Sequence, residues 1–299
     1  MKIHPTAVVS PRAKIGQDVQ IGPYCVVEED VVIGSGCILE SHVMIKNGSI
    51  LGDNNHIFEG TVIGGLPQCV GLDDEGGQVV IGSGNMIREH VTIHRAMREP
   101  DATEIGDTCM LMVNVHIAHD CRIGNDVILA NNTMLAGHVS VGTRAFISGA
   151  VGVHQFCRIG SFAMVGGQAH VVRDVPPYVT VDGLSSEVVG LNLIGLRRAG
   201  FSAEDIKTIK TVYRVLYQSG LPWREIVKKM EIDYTSGPGL EMAKFISMTT
   251  RGIMTERHSG PHRLTHSPDE PATIKLHVVG EDELSEYPAP FERKARGIG

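Results

Sequence analysis

Aromatic residues are scarce. One Trp, six Tyr and seven Phe make up 5% of the 299-residue chain. Only Tyr24, Phe58, Phe146, Phe156 and Phe162 precede residue 177, and the other nine rings follow it. An N-terminal part so poor in rings excludes a wide aromatic core and points to a narrow, repetitive one. No uninterrupted apolar run is long enough to cross a bilayer and no basic-then-apolar leader follows Met1, so a cytoplasmic chain without a transmembrane segment is expected. Long basic runs are also missing and the net charge is −7, which argues against nucleic acid as a partner. Net charge does not exclude a local basic groove for a phosphorylated ligand. The six cysteines form no CxxC pair, so neither a disulfide framework nor a zinc motif is indicated and no metal site is expected.

Glycine, at 35 residues, and a six-residue period are what the sequence does have. In steps of six from Ile3 to Ile63, then Ile81 to Ile93, then Ile105 to Val171, all twenty-six positions are Ile, Val or Leu. Gly often follows, as at Gly16, Gly22, Gly34, Gly124 and Gly142, and is expected to help the chain turn a corner. Four residues after the aliphatic the side chain is mostly small. Cys25, Cys37, Cys109, Cys121 and Cys157 occupy that slot and read as small core residues. A helix of 3.6 residues per turn cannot hold a period of six on one face. Short strands joined at corners can, three blocks to a coil, stacked as parallel strands around an aliphatic column. The ladder breaks at 69–80 and 95–104, where Cys69, Glu75 and Glu99 stand in aliphatic slots, so loops are expected there.

The paired prolines in Asp174–Tyr178 are expected to end the ladder. After an irregular link, Ser202 and Asp205 resemble a capping box. Ile206, Ile209, Val212, Val215 and Leu216 then recur at helical spacing up to Gly220. Further helices are expected from Pro222 and over about 240–250. The division expected is a β-helix at 1–180, helices at 190–253 capping the coil's open end, and a loose extra tail at 254–299, with one strand at Thr273–Val279.

Histidine is poor material for such a coil, yet His94, His116, His119, His138 and His154 gather in its later half. Taken singly, each is ordinary surface imidazole. Taken together, coil stacking groups them. Gly137 lies eighteen residues, one coil, after His119, and His138 lies eighteen after Asp120. An imidazole beside a carboxylate can act as a general base, and a backbone N–H one rung away can hold a developing oxyanion. No Ser or Cys nucleophile with a matching base stands out, so direct attack by a bound acceptor is expected rather than a covalent intermediate.

The aliphatic ladder, IHRAM at 93–97, NVHIAHDC at 114–121, ILANNTMLAGHVSV at 128–141, VHQFCRIG at 153–160, DVPPY at 174–178 and GLRRAGFS at 195–202 together resemble the UDP-N-acetylglucosamine acyltransferases. The resemblance runs from Ile3 to about Ile253. It implies a mainly β fold, a left-handed parallel β-helix followed by a small helical domain, assembled as a homotrimer with sites between subunits. It implies transfer of a 3-hydroxyacyl chain from acyl carrier protein to the 3-hydroxyl of UDP-N-acetylglucosamine, in lipid A biosynthesis, with no cofactor. By the same resemblance His119 is the general base, Asp120 its partner and the Gly137 N–H the oxyanion donor. Gln68, His94, His116, His138, His154 and Gln155 match substrate-contacting positions, Arg198 a contact to the nucleotide phosphates and Asn192 a weaker nucleotide contact. Gly167 matches a position where residue size limits acyl length, and glycine there implies a long chain. One departure stands out: after Pro67 and Gln68 the family pattern carries an aspartate and, two residues on, a lysine that help bind the acceptor. This chain has Cys69, Val70 and Gly71. A related acyltransferase acting on a different acceptor, such as an amino sugar acylated on nitrogen, is the first alternative. A catalytically silent solenoid is the second, disfavoured because such a scaffold has no use for His119 and Asp120 beside Gly137.

Overall fold

A computed structural model describes residues 1–69 and 76–257. Val70–Glu75, the tail from residue 258 onward and the strand expected at Thr273–Val279 lie outside the described residues.

Most six-residue blocks form a two-residue strand and a corner, as in Met110–Leu111, His116–Ile117 and Arg122–Ile123. Successive blocks fall on three different sheets, of 11, 9 and 8 strands among the described residues. Partners are one coil apart: Ile3 pairs with Ile21, Val9 with Val27 and Ile15 with Ile33, all parallel. The architecture is a left-handed parallel β-helix. The second residue of each strand points inward, so Leu39, Ile57, Ile93, Leu111 and Leu129 form a column with at most 1% exposure. Burying each such side chain contributes about 1.5–3 kcal/mol.

The corners differ from the sequence expectation. Among the described residues, the left-handed backbone falls three residues after the aliphatic, on every sixth residue from Asp18 to Gln168 outside the two loops. Most of these are not glycine. Asp18, Asn54, Asn114, Asp120, Asn132 and His138 all have φ between 54° and 60°. Short polar side chains tolerate that region better than most. The glycines after the aliphatics have a different cause. At Gly142 an added Cβ would lie 2.4 Å from Ser161 N, and at Gly22 it would lie 2.8 Å from the carbonyl carbon of Glu40. Neither has a positive φ. They are glycine because the next coil passes too close for a side chain.

Both interruptions are loops, as expected, and both preserve the phase. Ile57 pairs with Ile87 and Ile87 with Leu111, so the offset widens from 18 to 30 and then 24 before returning to 18. Where the loops leave, the inner slot carries buried amides. Asn55 Nδ2 donates to the carbonyls of Gly52 and Gly82, and its Oδ1 accepts from both nitrogens of Asn85. Asn85 Oδ1 in turn accepts from Cys109 N at 2.7 Å. These bonds satisfy polar groups that burial would otherwise make costly.

Asp174–Tyr178 does not end the parallel ladder. Val179–Val181 still pairs in parallel with Met164–Val165, and only Val188–Leu191 then turns antiparallel. Pro177 sits over a corner, where an added Cβ on Gly160 would lie 2.3 Å from its nitrogen, and a corner needs no ladder donor. Four helices follow: α1 (Leu193–Arg198), α2 (Ala203–Gln218), α3 (Trp223–Asp233) and α4 (Gly237–Ser247). The first is missing from the sequence reading. The second has the expected reciprocal capping box between Ser202 and Asp205. The last begins and ends about three residues earlier than expected. Tyr178, from the final coil, is buried among Leu196, Ile209, Val212, Met230 and Met242, which seats the helices on the coil's end. Arg158 reaches the buried Asp174 at 3.0 Å and stacks on Phe245 of α4.

Gly142→Ala is expected to destabilise the coil by about 1–3 kcal/mol through overpacking, although its backbone geometry suits alanine. Ala150→Gly, at a corner with φ 56°, should be nearly neutral, strain relief offsetting added chain entropy. Denaturant midpoints of the two variants check this; an unperturbed Gly142→Ala would remove the close-approach explanation.

Candidate active site

His119 and Asp120 form the corner after the strand His116–Ile117, and Gly137 and His138 form the same corner one coil on, after Met134–Leu135. His119 Nδ1 lies 2.7 Å from Asp120 Oδ2, with 16% and 12% of the two side chains exposed. Asp120 is fixed in turn: its backbone N donates to Thr103 Oγ1, and its Oδ2 accepts from Met97 N at 3.3 Å. A carboxylate so held keeps the Nδ1 proton on its own side of the ring and leaves Nε2 as the basic nitrogen. Gly137 faces that ring directly. An added Cβ would lie 2.4 Å from His119 Cε1 and 2.5 Å from Nε2. The Gly137 N–H has no hydrogen-bond partner among the described residues. His138 Nε2 lies 3.8 Å from Asp120 Oδ2, and its ring stacks on Phe156 at 4.6 Å. The pairing expected from eighteen-residue stacking is therefore present.

Around this corner runs a cleft of about 380 Å³ lined by Gln68, His116, His119, Gly137, His154 and His170, among others. His116 Nδ1 bonds Thr92 Oγ1 at 2.8 Å, and burial lowers its pKa. His94 packs edge-on against His116, with centroids 4.8 Å apart. Burial, with His116 and His119 nearby, lowers the pKa of His94 to about 4. Its Nδ1 is buried without a hydrogen-bond partner among the described residues. Gly65 is small to make room for it, since an added Cβ would lie 2.9 Å from the His94 ring. His154 and Gln155 are exposed on the rung above Gly137, and His154 Nδ1 lies 3.2 Å from the Gln155 carbonyl.

Other expected residues lie elsewhere on the chain. Asn192 and Arg198 line a separate cavity of about 630 Å³, with Arg144, Phe146, Phe162 and Leu193, over the eleven-stranded sheet. The His119 cleft lies over the nine-stranded one. The side chain of Asn192 is already engaged: Oδ1 caps α1 by accepting from Gly195 N, and Nδ2 donates to the Phe162 carbonyl. Arg198 is exposed and has no ion pair among the described residues. Gly167 sits at a different corner, near Gly149 and Ser148, and does not line the His119 cleft.

Two features went unread in the sequence. Cys69 Sγ lies 3.4 Å from His119 Nε2, so a thiol does stand against this imidazole. Fifty residues separate them, and Cys69, though it falls in an aliphatic slot by count, is in a loop where the ladder breaks. The other five cysteines are buried in the column, where burial raises their pKa, to about 12 for Cys121. His119, Asp120 and His138 also bring ligand-type atoms within 4.8 Å of one another. Tetrahedral zinc with bonds of about 2.0–2.1 Å sets its ligand atoms about 3.3 Å apart. The 2.7 Å between His119 and Asp120 fits a hydrogen bond better.

The sequence profile described as Udp N-acetylglucosamine O-acyltransferase, Domain 2, matches residues 174–254, and that for the bacterial transferase hexapeptide (six repeats) matches 12–47 and 102–137. A curated relative from Burkholderia orbicola, an acyl-acyl-carrier-protein–UDP-N-acetylglucosamine O-acyltransferase, is 48% identical over 259 residues, 85% of this chain and 99% of its own. The chain belongs to this acyltransferase family. Solved structures of UDP-N-acetylglucosamine acyltransferases agree. The one from Francisella novicida has 40% identity and a TM-score of 0.82 over 86% of this chain and 95% of its own. The one from Bacteroides fragilis has 40% identity and a TM-score of 0.80 over 84% and 99%. The protein is thus an acyltransferase built on the left-handed β-helix. No helix among its described residues is long and apolar enough to cross a membrane.

In this acyltransferase, Gly137→Ala should displace the His119 ring without straining the backbone, since Gly137 has no positive φ. A fall in kcat of about a hundredfold or more is expected, the scale of a lost general base, with circular dichroism unchanged. Near-normal turnover would mean that the ring's position is not critical.

Proposed function

We propose that the protein transfers a 3-hydroxyacyl group from acyl carrier protein to the 3-hydroxyl of UDP-N-acetylglucosamine, by direct attack and without a cofactor. The observation that carries the mechanism is the short His119–Asp120 contact facing Gly137 across one rung. The acceptor hydroxyl gives its proton to His119 Nε2 as its oxygen attacks the thioester carbonyl. Asp120 supports the imidazolium that forms, and the Gly137 N–H holds the oxyanion. The proton then passes to the departing carrier thiol. His94 and His116, whose pKa values are lowered by burial, serve as neutral contacts to substrate. Gln68 and His154 line the cleft with them, His138 and Gln155 flank it, and Gly167, outside the cleft of one chain, is assigned to the end of a long acyl tail.

The nucleotide part of the acceptor falls to Asn192 and Arg198. A guanidinium with no ion pair among the described residues suits a diphosphate. These residues and His119 lie over different sheets of one chain. We propose that they meet across subunits of a homotrimer. The loop departure at Cys69 favours a second reading of the acceptor, a 3-amino sugar acylated on nitrogen by the same machinery.

An assay with acyl carrier protein thioesters against UDP-N-acetylglucosamine and its 3-amino analogue tests the reading. His119→Ala should lower kcat by about a hundred- to ten-thousand-fold while the protein stays folded. A change confined to KM would assign His119 to binding. Shared sites are tested by co-expressing His119→Ala with Arg198→Ala and assaying at low acceptor concentration. Mixed assemblies should exceed either variant alone, because some sites then combine an intact His119 with an intact Arg198. No gain on mixing would count against a site built across subunits.

A further inference from the structure

Cys69 is the one cysteine outside the aliphatic column. It follows Gln68 in the cleft wall, and its sulfur lies 3.4 Å from His119 Nε2. On the far side of the same ring, Nδ1 lies 2.7 Å from Asp120 Oδ2. Thiol, imidazole and carboxylate thus stand in line, the order in which a cysteine nucleophile is activated. Beside the same ring lies Gly137, whose N–H has no partner among the described residues. The sulfur faces the nitrogen that, under the proposed function, accepts the acceptor's proton. A thioester carbonyl placed for attack by a sugar oxygen at that point is equally placed for attack by Cys69 Sγ.

We propose that Cys69 is an acyl-accepting thiol, a second nucleophile in this site that carries the acyl chain as a thioester when the acceptor is absent. The proposal rests on the reading of the donor as an acyl carrier protein thioester. In the first step His119 Nε2 takes the Cys69 proton and the sulfur attacks the carbonyl. The new carbon–sulfur bond forms as the bond to the carrier thiol breaks, and the carrier thiolate leaves with the proton from His119. In the second step the acceptor hydroxyl or amine gives its proton to His119 and attacks the Cys69 thioester. The bond to Cys69 breaks, and its sulfur recovers the proton. One thioester replaces another, so the first step needs no oxidant, reductant or other energy source. The second releases the free energy of making an ester or amide from a thioester.

The test is intact-protein mass spectrometry of the full chain mixed with 3-hydroxytetradecanoyl-acyl carrier protein and no sugar. Peptide mapping then locates any adduct, and a chase with UDP-N-acetylglucosamine or its 3-amino analogue follows. The expected result is one hydroxyacyl mass on Cys69, removed by hydroxylamine. It should be absent from Cys69→Ala, form about a hundredfold or more slower in His119→Ala, and be chased to the sugar no more slowly than steady-state turnover. An adduct that persists on Cys69 while the same preparation acylates either sugar at its normal rate overturns the relay, because Cys69 would then be a dead end. A preparation that acylates the sugar yet never shows the adduct also overturns it, while leaving the proposed function intact. An adduct without transfer to either sugar would instead bring down the acceptor reading. Mapping on the wild-type chain keeps the test decisive even if a variant fails to fold.

Discussion

The backbone ladder between coils is the interaction on which everything else rests. Away from the two loops and the last coil, each strand residue pairs with its counterpart eighteen residues on, so side chains of equal phase stack vertically. That repeat satisfies the peptide groups, aligns the aliphatic column and forces a left-handed corner at every sixth residue. It also builds the site, because His119 and Gly137, like Asp120 and His138, become neighbours through backbone register before any side chain packs. An imidazole held by backbone register in this way is preorganised.

Much of this was legible because one period governed it. The aliphatic phase identified the coil, and counting in eighteens paired the site residues. What stayed hidden does not follow from the period alone. Cys69 meets His119 from a loop, and a loop's course cannot be counted. Leu193–Arg198 is too short for a helical repeat to register. The buried amides of Asn55 and Asn85 occupy a slot where a small polar residue looks unremarkable. The glycines were recognised and misexplained: the chain turns three residues later, largely on Asp, Asn and His, while the glycines admit the neighbouring coil. From sequence, a residue that permits a turn and one that permits a contact look alike. Asn192 is similar, since its amide is occupied in capping α1 and holding the Phe162 carbonyl.

The histidines divide by surroundings rather than by position in the repeat. His94 and His116 lie among apolar walls and other imidazoles, where a positive charge is disfavoured. Of the five clustered histidines, among the described residues His119 alone has a carboxylate at hydrogen-bond distance, with a second imidazole, His138, on that carboxylate's other flank. Burial thus sets two imidazoles whose pKa values are lowered next to one held by a carboxylate. The same element type, a corner of the coil, yields both.

The two loops interrupt the ladder by whole multiples of its period, so Ile93 still stacks on Ile63 and Ile117 on Ile93. Downstream coils do not register that anything was inserted. A loop of this kind can be rewritten without rotating the His119–Asp120 corner by a single side chain. What such a loop changes reaches the corner only by touching it, as Cys69 does at 3.4 Å from His119 Nε2, and the stacking of the coils beneath is left as it was.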